Sequence, residues 1–147
     1  MIFIQFIAAF IAVVSFSVNL EIPKKHIIIV GVVGALGWVI FVICNYFNLN
    51  EILAYFISAL FVTIISLVLS KLLNAVSTIF LIPGILPIVP GIAMYKMIYF
   101  FINNNLKEAA YQLLQAILIT GGIALAIFIT ESIKGIKIIR KEQINEN

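Results

Sequence analysis

The charged residues of this 147-residue chain are placed so that five runs carry no Asp, Glu, Lys or Arg: 1–20, 26–50, 52–70, 72–95 and 109–130. About 20 apolar residues cross a hydrocarbon core of roughly 30 Å, so each run is long enough to span a bilayer. Together they hold about three quarters of the chain, which leaves too little for a second domain. With 64% hydrophobic and 10% charged residues against the roughly 25% charge of soluble domains, the chain reads as an all-α integral membrane protein.

The same distribution excludes other classes. The basic residues stand singly or in a short tail, without the interleaved aromatics that stack bases, so nucleic acid is not a partner. One His, one Cys (Cys44) and no Asp leave no metal cluster, no disulfide within the chain, and no paired-carboxylate or triad catalyst. No enzyme activity and no cofactor are expected. No Lys or Arg precedes Lys24, and the first run has full spanning length, so it reads as a span rather than a cleaved leader.

The expected spans are about 2–20, 27–47, 52–70, 79–102 (discontinuous) and 109–130, followed by a basic cytoplasmic tail over 131–147. Pro23 with Lys24 and Lys25 ends the first, and Asn48-Leu49-Asn50 makes the second reversal tight. An odd number of spans puts the termini on opposite sides. With the N terminus outside, the inner face collects Lys24, Lys25, Lys71, Lys134, Lys137, Arg140 and Lys141, seven of the nine basic residues. The positive-inside rule therefore predicts N-out, C-in. His26, in the basic loop, is expected to be solvated.

Helical spacing separates interior from lipid faces. Thr63, Ser66, Ser70, Asn74 and Ser77 fall on one arc if the third helix continues past Ser70. Such a stripe lines a substrate pathway or glues helices together. The first span has a weaker counterpart in Gln5, Ala8, Ala12, Ser15 and Asn19, and the last in Gln112, Gln115, Gly122, Ala126 and Thr130. Gly31, Gly34 and Gly37 predict close helix packing in the second span.

The fourth run is anomalous. Pro83, Pro87 and Pro90 fall within Leu81-Ile82-Pro83-Gly84-Ile85-Leu86-Pro87-Ile88-Val89-Pro90-Gly91, so it cannot be one continuous helix. Irregular backbone at membrane depth must be buried in protein or line a wet cavity. A helix starting at Pro90 or Gly91 and ending at Ile102 spans roughly 18 to 20 Å, which sets its N terminus inside the membrane. Free amides there favour an anion. Lys96 either adds positive charge to that site or snorkels outward beside Tyr95 and Tyr99.

The stretch from Ile82 to Gly91, with Tyr95 and the later Gly121-Gly122, resembles the C-terminal half of the threonine/serine exporter (ThrE) family; in length the chain is similar to its stand-alone small YjjB-like subunit. The Ile22-Pro23-Lys24 loop and the glycines of the second span also fit. The resemblance implies a prokaryotic plasma-membrane protein corresponding to one five-helix half of a two-component exporter, with a larger homologous multi-spanning subunit supplying the other half. It implies threonine, serine or dicarboxylates such as succinate as substrates, and makes Pro83, Pro87, Pro90, Gly91 and Tyr95 motif positions.

The expected function is a secondary exporter subunit for small carboxylate-bearing metabolites. The chain has no phosphate-binding loop, so coupling falls to an ion gradient. No acid lies within the expected spans, which places any proton relay on the partner. The alternative is a structural, assembly or pore-forming membrane protein with no substrate site. Lipid is the surrounding partner in either case, and a homo-oligomer remains open.

Overall fold

The computed structural model describes the backbone of residues 2–145 and the side chains of residues 2–133. Among the described residues every regular element is helical: α1 (Ile2–Asn19), α2 (Lys24–Tyr46), α3 (Glu51–Leu72), α4 (Thr78–Ile85), a 3-10 turn at Leu86–Ile88, α5 (Gly91–Ile102) and α6 (Leu106–Asn145). Helices α1, α2, α3 and the Leu106–Ile133 part of α6 are long and apolar enough to cross a membrane; Thr78–Ile88 and Gly91–Ile102 reach that length and hydropathy only together, as a pair bent by 47° that is either a fifth, broken span or a re-entrant loop. Helix α6 continues past the expected end at 130, and the side chains of Lys134, Lys137, Arg140 and Lys141 lie outside the described residues.

Four helices stop by one device. Glu21, Asn48, Asn74 and Asn104 have φ of 54°, 55°, 47° and 58°. In each case the following amide donates five residues back, Ile22 to Ser17 (3.1 Å), Leu49 to Cys44 (3.2 Å), Ala75 to Ser70 (3.0 Å) and Asn105 to Phe100 (2.9 Å). This left-handed cap satisfies orphan carbonyls at the helix end, and Asn accepts the conformation better than most residues. It also corrects the expected stripe: α3 ends at Leu72, so Asn74 is an exposed turn residue and Ser77 flanks the start of α4 rather than continuing a helical face.

Helix α2 is the hub, packed against α1, α3 and α4. Its glycines make the close approach that the sequence predicts. A Cβ on Gly31 would sit 2.7 Å from Phe10 and Val14 side-chain carbons, and one on Gly34 would sit 2.6 Å from Val13, so both seat α1. On Gly37 it would meet Val62 of α3 at 2.5 Å. Phe80 of α4 closes a buried cluster with Val13 and Val30. His26 is not solvated: helix α2 begins at Lys24, which turns His26 inward to 4% exposure, its ring edge-on to Phe80 at 5.4 Å.

Helix α6 packs on α3 and α5, while α5 packs on α6 alone and buries none of its own residues. The bend after the 3-10 turn thus carries α5 away from α2 and α3. A recess opens between them.

Candidate functional site

The three prolines build the break in order. Pro83 lies inside α4 and removes a helical donor. Pro87 falls in the first turn of the 3-10 segment, and Val89 after it is extended (φ −64°, ψ 137°). Pro90 is the N-cap of α5 and offers no side-chain cap. Gly91 donates to Val89 (2.7 Å) and Met94 to Pro90 (3.2 Å), which leaves the first-turn amides of Ile92 and Ala93 uncapped. Gly91 itself is exposed, and a Cβ there would meet nothing within 4 Å.

Ile92 and Ala93 line the recess, a cavity of about 220 Å³ that also receives Lys96 from α5. Trp38 and Phe41 of α2, Glu51 and Tyr55 of α3, and Tyr111, Gln112, Gln115 and Ile119 of α6 complete its wall. Drug-sized sites measure about 300–1,000 Å³, so this one suits a metabolite of few heavy atoms. Two larger hollows, of about 350 Å³ between α3 and α6 and about 400 Å³ between α5 and α6, are lined mostly by apolar side chains.

The recess is lined by groups of both signs. The first turn of α5 and Lys96 favour negative charge. Glu51, one turn before Tyr55 on α3, brings a carboxylate to the same lining. Tyr55 is only 7% exposed, yet its hydroxyl has no hydrogen-bond partner among the described residues. Trp38, Phe41 and Tyr55 form a continuous aromatic wall, with centroids 5.2 and 4.3 Å apart. On α6, the Gln115 amide donates to the Tyr111 hydroxyl at 3.0 Å, leaving that hydroxyl's proton for another acceptor. Glu51 and Lys96 share the recess without forming an ion pair.

The sequence-predicted residues separate by place. Lys96 lines the recess, and Pro90 and Gly91 start the helix whose next two residues, Ile92 and Ala93, line it too. Pro83 is buried in α4, and Pro87 lies beside Trp38 in a separate hollow with Gln5, Ala8, Ala9 and Ala12 of α1. Tyr95 is exposed and stacks on Tyr99 at 6.5 Å outside the recess. Thr63, Ser66 and Ser70 are buried on α3 but line none of these hollows. The Thr63 hydroxyl donates to Ala59 (2.7 Å) and that of Ser70 to Leu67 (2.9 Å), while Ser66 Oγ has no partner.

Sequence reasoning missed Glu51, Tyr55, Trp38 and Tyr111 as one group. Glu51 falls just before the span expected at 52–70; it is the first residue of α3. The available signal was the four-residue spacing of Glu51 and Tyr55 on one helix and of Tyr111 and Gln115 on another.

No curated protein and no solved structure matches the chain. The sequence profile described as "Threonine/Serine exporter, ThrE" matches residues 5–133, a stretch that includes the whole broken span and every residue of the recess. An all-helical chain with four to five segments long and apolar enough to cross a membrane, whose residues 5–133 fit that profile, belongs to the threonine/serine exporter (ThrE) family.

Proposed function

We propose that this chain is the small membrane subunit of a secondary exporter of small carboxylate-bearing metabolites, threonine- or serine-like amino acids or dicarboxylates such as succinate. It works in the plasma membrane of a prokaryote with a larger homologous subunit, its N terminus outside and C terminus inside. The observation that carries this reading is the Pro-broken fourth run, because the uncapped first turn of α5 and Lys96 both line one recess. Discontinuous helices that aim an N terminus at a substrate carboxylate are a recurring device of secondary transporters.

The physical task is to replace hydration. A carboxylate entering the membrane gives up strong hydrogen bonds to water, and an unpaired charge there is expensive. Fixed amides and an ammonium lower that cost at one depth. Alternating exposure of the site to the two sides then lets an ion moving down its own gradient drive the solute outward.

The need for a partner has its own support. Val89, Gly91 and Ile92 at the break are exposed on the single chain, and helix α5 puts them roughly 18 Å from Ile102 along its axis. Lipid cannot satisfy irregular backbone at that depth. A second membrane subunit covering the break, with water in the recess, resolves this.

The test is efflux from proteoliposomes loaded with labelled threonine or succinate and containing this chain, the larger subunit, or both. The expected result is a stoichiometric complex with efflux only when both are present. A stable assembly that moves neither solute overturns the reading in favour of a structural role.

A further inference from the structure

We infer that the groove between α3 and α6 is the seat of one anionic phospholipid, with an acyl chain lying along residues 60–71 of α3 and the phosphate held by the Lys71 ammonium. The inference goes beyond the exporter reading and does not depend on it.

The length and depth of the groove match half a bilayer. On α3 its lining runs from Leu60 to Lys71, a distance of about 16 Å at 1.5 Å per residue. That is about one leaflet of a hydrocarbon core roughly 30 Å thick. Leu60 lies near the middle of Glu51–Leu72 and Lys71 in its last turn, so the groove starts near the bilayer centre and ends at one interface. With the N terminus outside, that interface is the inner one. Half-buried Leu60 and Leu67 make the floor, while exposed Ile64 and Val68 of α3 face exposed Ile129 and Ile133 of α6 across it. An apolar cleft of about 350 Å³ with such rims, between two helices long enough to span, opens to lipid.

The groove has one polar end. Its lining is apolar except for Lys71 and Thr130, and the Thr130 hydroxyl already donates to the Ala126 carbonyl (2.8 Å). Lys71 makes no ion pair or hydrogen bond among the described residues, and Glu131, next to Thr130, does not line the groove. A lysine in the last turn of a helix can serve the terminal carbonyls. Here the Leu73 and Ala75 amides already donate to the Leu69 and Ser70 carbonyls (2.9 and 3.0 Å), which leaves Lys71 spare. Its exposure suits the role, because a lysine lays its stem along apolar surface and keeps its ammonium at the level of the headgroups.

Charge complementarity selects the class of lipid. An ammonium between spans at the interface attracts a phosphate, and a headgroup of net negative charge is favoured over one whose own cation repels Lys71. The hollow of about 400 Å³ between α5 and α6 has no charged residue in its lining. Such a surface takes an acyl chain without choosing a headgroup.

The probe is dioleoyl phosphatidylglycerol, compared with dioleoyl phosphatidylcholine, each added to the purified full-length chain in neutral detergent. Retained lipid is counted by native mass spectrometry, and binding is followed through the melting temperature read from Trp38 emission, since a ligand of the folded state raises it. One phosphatidylglycerol per chain should be retained, with a preference over phosphatidylcholine of about fivefold, the contribution of one lysine near an anionic surface. Lys71→Gln should abolish that preference. Lys134 and Lys137 follow within seven residues of Thr130 in sequence, so the double variant Lys134→Gln with Lys137→Gln is the control and should keep it. Val68→Phe narrows the groove from its exposed rim and should weaken both lipids alike; it carries the test if Lys71→Gln does not fold. Glycerol 3-phosphate, which has the phosphate without the chains, should not compete. Equal affinity for the two lipids, a preference that persists in folded Lys71→Gln or is lost with the tail lysines instead, unchanged binding in Val68→Phe, or competition by glycerol 3-phosphate overturns the seat.

Discussion

The Ser58 hydroxyl donates to the main-chain carbonyl of Gly37, joining α3 to α2 at the point where a Cβ on Gly37 would lie 2.5 Å from Val62. The bond and the missing side chain belong together: only a glycine lets the two backbones come close enough for a serine to reach across. Val62 is fully buried and β-branched, so it cannot swing aside. Gly37→Ala should destabilise the chain by about 1–3 kcal/mol through overpacking. Adding Val62→Ala removes the carbon it strikes and should recover part of that loss. Thermal melting in detergent, monitored by Trp38 emission, compares the single and double variants.

The left-handed helix caps make a second prediction. Three of the four positions carry Asn, but Glu21 adopts φ 54° with a longer side chain. Such a conformation costs roughly 1–2 kcal/mol outside glycine, and glycine gives back roughly 0.5–1 kcal/mol in unfolded-state entropy. Glu21→Gly should therefore raise stability by up to about 1 kcal/mol, and Asn74→Ala should lower it by a similar amount. Chemical denaturation of the two variants checks both signs.

Pro90 gives a prediction in which stability and transport diverge. It caps α5 with no side-chain acceptor. Pro90→Ser supplies one, and an N-cap serine is worth about 1 kcal/mol. The same bond occupies a first-turn amide of α5, in a turn whose Ile92 and Ala93 line the recess. A higher melting temperature together with slower efflux is the expected result, whereas a gain in both would separate the α5 terminus from transport.

Side-specific labelling tests the N-out, C-in orientation. Lys25 and Asn103 are exposed at opposite ends of the bundle, and the native Cys44 is buried, which keeps background labelling low. In intact cells Asn103→Cys should react with an impermeant maleimide and Lys25→Cys only after permeabilisation. The reverse pattern would invert the topology.

The spans were legible because hydropathy alone decides which segments enter a bilayer. The break was legible because proline carries its structural effect wherever it falls. The stripe through Thr63, Ser66 and Ser70 was read correctly as one helical face, but periodicity cannot say where a helix stops, and Asn74 was counted as a lining residue when its role is to reverse the chain. Glu51 was hidden for a related reason. A charge at a run boundary looks like a loop until the Asn50 side chain is seen accepting from the Ile52 amide at 2.9 Å, which starts α3 one residue earlier and points Glu51 and Tyr55 into a shared cavity. The recess draws residues from α2, α3, α5 and α6, a juxtaposition no linear spacing encodes.

The most direct test of the central claim is threonine efflux from proteoliposomes containing this chain and its larger partner, with the native residue or Lys96→Gln at the recess. Efflux that requires both subunits and falls at least tenfold in the folded variant is the predicted result. Efflux by the larger subunit alone, or at an unchanged rate with Lys96→Gln, would contradict the account.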